Sequence, residues 1–179
     1  ANAPWIRREG IRQQVRSAME INSDAASAKG LAARLGVATG WKLLGPFQSV
    51  SGEGFNHPFI DESDLKSVVD SDLEVQGIDN HPVKWVKTIH EEPDGTIEIA
   101  RRLGGGSGCA YYASATITVS QDADYWIVVD RVGALRLWID GEVILSDAAD
   151  IAGDELHWVR KRLTAGKHQA ERVAREQLV

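Results

Sequence analysis

The chain has 179 residues, 43% of them hydrophobic and 26% charged. That is a globular composition, with length for one domain or one domain plus a small appendage. No apolar run approaches the roughly 18 residues that cross a bilayer. Twenty Lys and Arg stand against 26 Asp and Glu, a formal net charge of -6, which argues against a broad phosphate-binding surface and so against nucleic acid as a partner.

The chain opens at Ala1 without a charged n-region or an apolar h-region, which reads as a processed protein or an excised fragment. Ile11, Val15, Ala18 and Met19 then repeat at three-to-four spacing among Arg7, Arg8, Glu9, Gln13, Gln14 and Arg16, an amphipathic helix. Asn22, Ser23 and Asp24 supply cap-type side chains. Ala25, Ala28, Leu31, Ala32 and Leu35 keep helical spacing up to Gly36, a C-terminal stop. Residues 1–40 are therefore expected to form a helix pair, and 41–179 a separate module.

From Trp41 onward β-branched and aromatic residues come in short runs punctuated by Gly, Pro, Asn and Asp. Residues 45–82 are loop-rich and carry the acidic stretch Asp61, Glu62, Asp64, Asp70 and Asp72. Strands are predicted over 83–88, 96–100, 109–119, 124–130, 134–139, 142–146 and 156–163. In 111–119, Tyr111, Ala113, Ala115, Ile117 and Val119 share one face and Tyr112, Ser114, Thr116 and Thr118 the other. The run Tyr125 to Val129 is apolar on both faces, the pattern of a central strand covered from two sides. Leu135, Leu137 and Ile139 alternate, Asp140-Gly141 follows, and Val143 and Leu145 resume the alternation. Asp-Gly in that place predicts a type I′ hairpin. Lys167 to Val179 fits a strand or a helix, the latter through Ala170, Val173, Ala174 and Leu178. Many short strands without strand-helix-strand alternation predict an all-β, antiparallel, jelly-roll-like sandwich behind a short helix pair.

The order WKLLGPF, GFNHPF with DESDL, VKWVKT, GTIEIA, YYASATITV, DYWIVVDRVGALRLWIDGEVI and LTAGKH resembles the galactose-binding-like and PA14-like β-sandwich accessory modules of large bacterial multidomain proteins. The most recognisable stretch of such modules, "DDGxRLWxDGK" followed by "LxAGxH", is matched by Asp130 to Glu142 and Leu163 to His168. The resemblance implies a non-catalytic module that binds carbohydrate or docks against neighbouring domains, in proteins often exported from the cytoplasm. Where the PA14-like pattern has two adjacent Asp residues that hold calcium, this chain has Asp130 followed by Arg131. The helix pair, ending in AARLG, looks like the tail of a helical repeat array.

Ligand-binding candidates are Trp138, Arg136, Asp130, Arg131 and Trp85. Arg136 and Trp138 lie on the strand face opposite Leu135, Leu137 and Ile139, so an indole and a guanidinium sit together. On an outer surface they form a platform that stacks on a sugar ring and hydrogen-bonds its hydroxyls; the competing reading packs Trp138 under a loop or against the helices. Trp158 carries the same two readings. Asp122, Asp124 and Asp130, with the acidic loop, are calcium candidates without EF-hand spacing, solvated carboxylates being the alternative. Gly104 to Gly108 lacks the Lys-Ser/Thr pair of a phosphate loop and reads as a flexible loop, whose place between two strands lets it border a binding face.

A catalytic alternative, a small hydrolase, pairs Cys109 with one of His57, His81, His90, His157 or His168. Against it, Cys109 opens a strand, away from a helix N-terminus that lowers a thiol pKa, and a small buried thiol is its simplest role.

Overall fold

The computed structural model describes Ser17, which is helical, together with residues 38–49, 55–88, 97, 99–106, 108–131, 133–148 and 155–175. The predicted helix pair lies, Ser17 apart, outside the described residues. The elements in order are β1 (Thr39–Gln48), a 3-10 turn (Glu62–Asp64) running into α1 (Leu65–Val69), β2 (Glu74–Gln76), a second 3-10 turn (Ile78–Asn80), β3 (Pro82–Lys84), β4 (Val86–Lys87), α2 (Ile99–Leu103), β5 (Cys109–Val119), β6 (Ala123–Arg131), β7 (Leu135–Ile139), β8 (Glu142–Asp147), β9 (Glu155–Leu163) and β10 (Gly166–Arg175).

Six strands form one antiparallel sheet in the order β4-β1-β5-β10-β7-β8, while β2-β3 and β6-β9 are separate two-stranded ribbons. The chain is thus mostly antiparallel β, as its strand pattern predicts. β5 and β10 are paired without interruption from Val119↔Gly166 to Ala110↔Arg175. β1 pairs with β5 through a register shift between Leu44 and Phe47. Pro46 falls inside that shift and has no N–H to give the ladder, so a bulge is where a strand tolerates it.

The segment after β9 is a strand. Ala170 and Val173, three residues apart, fall on opposite faces of β10: Ala170 packs with Val119, Ile139 and Leu163, and Val173 with Leu44, Tyr112 and Trp138. A spacing of three suits a helix face, but it equally places two apolar residues in two cores when both faces of a strand are covered. The segment predicted as a strand over 96–100 is corrected in part: Ile99–Leu103 is helical. Ile99 is buried and, with Ala100 and Leu103, packs against Leu43, Cys109 and Tyr111.

One face of the sheet is covered by residues 55–69. Phe47, Leu44, Ala110, Tyr112, Trp138 and Val173 meet Ile60 and Leu65 there. Phe47 stacks on Phe59 at 4.7 Å between ring centres, and Tyr112 meets Phe47 edge-on at 5.8 Å. The other face carries α2 at one end and the β6–β9 ribbon at the other, where Tyr125, Ile127 and Leu163 pack on Val119, Ile139 and Ala170. β5 is accordingly buried on both faces from Cys109 to Ala115, and only then alternates, with Thr116 and Thr118 exposed.

β6 departs from the central strand that its apolar run predicts. Among the described residues its sheet partner is β9 alone. One side packs on the sheet, while on the other Trp126 is 59% exposed. No helix among the described residues is long and apolar enough to cross a membrane.

Candidate functional site

Arg136 and Trp138 do lie side by side, but as part of the interior, and the exposed platform is corrected. Trp138 is buried in the cluster formed with Ile60 and Leu65. The Arg136 guanidinium donates to Glu62 Oε2 at 2.8 Å and to the Phe55 carbonyl at 3.2 Å, with its carbon 4.5 Å from the Phe55 ring centre and 5.8 Å from that of Trp138. Glu62 Oε1 accepts from the Tyr112 hydroxyl at 2.8 Å, and that hydroxyl accepts from Phe59 N–H at 3.2 Å. Burial and the Glu62 carboxylate push the Tyr112 hydroxyl well above its usual range, so it remains a donor. The loop wins both side chains because burying an indole is worth roughly 2–3 kcal/mol, and the planar cation gains a carboxylate, a carbonyl and two aromatic faces.

The other candidates separate. Trp85 is half-buried against the same cluster, with no hydrogen bond to its indole N–H. Asp130 and Arg131 stand at the end of β6, their side chains outside the described residues. Asp122 Oδ1 accepts from Ala165 N–H at 2.7 Å, fastening the β9–β10 turn, and Asp124 binds Arg160 at 2.5 Å. In the acidic stretch, Asp61 accepts from Ser63 and Asp64 from Ser67, as caps of short helical turns, and Asp70 pairs with Lys42 at 2.8 Å. No group of three or more His, Cys, Asp or Glu among the described residues is placed to hold a metal ion.

Cys109 is buried, and among the described residues no imidazole bonds to it. The glycine-rich loop is tied to the core: Tyr111 hydroxyl donates to the Gly104 carbonyl at 2.9 Å, and a Cβ on Gly105 would sit 2.5 Å from the Tyr111 oxygen and 3.0 Å from Cys109 Sγ. Only glycine fits there, with φ +88.

The two stretches that carry the family resemblance meet at the predicted hairpin. Asp140 and Gly141 have φ of +53 and +80, as a type I′ turn requires. Asp140 also reaches β10. Its Oδ1 accepts from Gln169 N–H at 2.9 Å, and its Oδ2 lies 2.6 Å from His168 Nδ1. His168 Nε2 lies 2.8 Å from the Thr164 carbonyl. A carbonyl only accepts, so Nε2 donates, and the imidazole is held above its ordinary pKa, first by Asp140 and then by Thr164.

Among the described residues, the outer face of the β6–β9 ribbon is open to solvent. Register places Asp124 opposite Arg162, Trp126 opposite Arg160 and Val128 opposite Trp158, and strict alternation puts all six on the side away from the core. Trp126 is 59% exposed, the Arg160 side chain 64% exposed, and Trp158 and Val128 half-buried. A flat surface with an indole beside guanidinium groups can stack on a sugar ring and hydrogen-bond its hydroxyls. Sequence reasoning passed over Trp126 because its run is apolar on both faces. The legible signal was in β9, where Trp158, Arg160 and Arg162 alternate with Val159, Lys161 and Leu163.

No family model matches the chain, and no curated protein matches it. Among solved structures, the β-glucosidase from Kluyveromyces marxianus in complex with glucose is 14% identical with a TM-score of 0.36, and the selenomethionine-labelled form of that enzyme is 15% identical with a TM-score of 0.37. Each comparison covers 74% of this chain and 14% of the β-glucosidase, so this chain is similar to a small part of that protein. The likeness is a distant one of β-rich architecture.

Proposed function

We propose that this chain is a non-catalytic accessory module of the galactose-binding-like and PA14-like kind, a jelly-roll-like sandwich within a larger, exported bacterial protein, and that it binds carbohydrate on the outer face of the β6–β9 ribbon. The observation that carries the reading is Trp126, a large aromatic 59% exposed on a sheet face next to Arg160. Leaving an indole in water forgoes roughly 2–3 kcal/mol of burial, a cost with a purpose if a ligand covers it. The burial of Cys109 suits a packing thiol and so supports binding over catalysis. A glycan array on the purified chain tests the proposal: binding that is lost in Trp126→Ala, with circular dichroism and melting unchanged, is the expected result. Absence of signal on every glycan, together with turnover in a hydrolase screen, overturns it.

A second reading, docking against neighbouring domains, rests on Val143, 49% exposed on the edge strand β8. An exposed apolar side chain on the last strand of a sheet offers a contact surface to another chain segment. Co-elution with flanking segments of the parent protein, lost in Val143→Lys, is the expected outcome for this reading.

A further inference from the structure

We infer that the β6–β9 face takes the middle of an uncharged, β-linked polysaccharide chain, with Trp126 and Trp158 stacking on two of its sugar rings. The inference rests on the carbohydrate reading above and adds the class of ligand and a second stacking residue.

β6 and β9 pair without a register shift from Ala123↔Leu163 to Arg131↔Glu155, so their outer side chains line a regular strip about 30 Å long at the usual rise of a strand. That is room for several sugar rings in a row. Trp126 stands opposite Arg160 and Trp158 opposite Val128, which makes the two indoles diagonal neighbours, roughly 7–8 Å apart at the backbone. Among the described residues neither indole is engaged by a hydrogen bond or by another ring. Each keeps a ring face and an N–H donor, and a sugar ring, with an apolar C–H face and a rim of hydroxyls, matches both. Two stacking residues along one strip engage successive rings of a chain, where a single terminal sugar meets only one.

Charge chooses between polymers. Strand alternation gives Asp124 and Asp130 the same face of the ribbon as Arg160 and Arg162, two carboxylates against two guanidiniums, and Asp124 holds Arg160 at 2.5 Å. The face is therefore balanced, in a chain whose net charge is -6. An acidic polymer gains nothing from a balanced face and meets the repulsion of the whole molecule. Hydroxyls need no such excess, since they accept from a guanidinium and donate to a carboxylate.

Affinity electrophoresis of the intact chain through gels containing hydroxyethylcellulose, a neutral galactan or polygalacturonate tests this, with glucose, galactose and their β-linked hexasaccharides as competitors. Retardation by a neutral polymer is expected, unchanged by added NaCl, relieved by the matching hexasaccharide and not by the single sugar. Trp126→Ala is expected to abolish it and Trp158→Leu to weaken it about tenfold, the equivalent of one lost aromatic contact. Trp158→Phe keeps a stacking ring and is expected to retain most of the retardation, which separates loss of stacking from loss of folding. Retardation that Trp158→Leu leaves unchanged and the free monosaccharide relieves reveals a single sugar subsite; it overturns the inference and leaves the carbohydrate reading standing. Retardation by polygalacturonate alone does the same. Unhindered passage through all three gels overturns both.

Discussion

His168 Nδ1 lies 2.6 Å from Asp140 Oδ2, joining the turn of the β7–β8 hairpin to the start of β10 across 28 residues of sequence. The same aspartate takes the Gln169 N–H, and its own N–H donates to the Gln169 carbonyl at 2.9 Å. One side chain thus shapes a turn and fixes where the hairpin docks. A histidine with a raised pKa contributes stability that is complete below its unfolded value of 6.5 and is lost as pH rises through the folded value. Asp140→Asn keeps a residue suited to positive φ and removes the charge. It is expected to cost about 1 kcal/mol at pH 5.5 and less at pH 8.5, read from denaturant midpoints at the two pH values.

Glu171 lies on the sheet face covered by residues 55–69, in line with Ser114 and Trp138. It is buried, and its Oε2 makes no hydrogen bond. Burial, then the nearby Asp140 charge, raises its pKa to about 7. Between its ordinary 4.5 and 7 the folded chain holds a proton that the unfolded chain releases, so stability falls as pH climbs through that window and the penalty is complete above it. Glu171→Gln is expected to raise stability by roughly 1 kcal/mol at pH 8 and to leave it unchanged at pH 4.5. Thermal melts across the range check this, and a gain of the same size at both ends contradicts it.

Arg136 and Glu62 pin residues 55–62 onto the sheet. Arg136→Met leaves Glu62, 15% exposed, without its cation, and is expected to cost about 2 kcal/mol. Adding Glu62→Gln removes the stranded charge, so the double variant is expected to be more stable than Arg136→Met alone in urea unfolding.

The two tryptophans differ in role. Trp138→Ala opens a cavity in a packed cluster and is expected to cost about 3–5 kcal/mol. Trp126→Ala removes an exposed side chain and is expected to change stability by less than about 0.5 kcal/mol. Equal losses in the two variants would place Trp126 in the core.

Local chemistry made the hairpin at Asp140-Gly141 and the strands around it readable: positive φ at two successive residues and period-2 alternation are properties of a short segment, stated by its own residues. Ile99–Leu103 and β10 were less so, because a spacing of three apolar residues serves a helix face or a strand covered on both sides, and only the coverage decides. The position of Trp126 and Trp138 was beyond local reading. Each stands in an apolar run, and which indole is buried follows from where residues 55–69 and the β6–β9 ribbon come to lie. Sequence alone determined an antiparallel β chain with one certain turn. The tertiary structure decided which sheet faces are closed, and so which residues remain for a ligand, because burial is set by the partner that covers a side chain and that partner is distant in the chain.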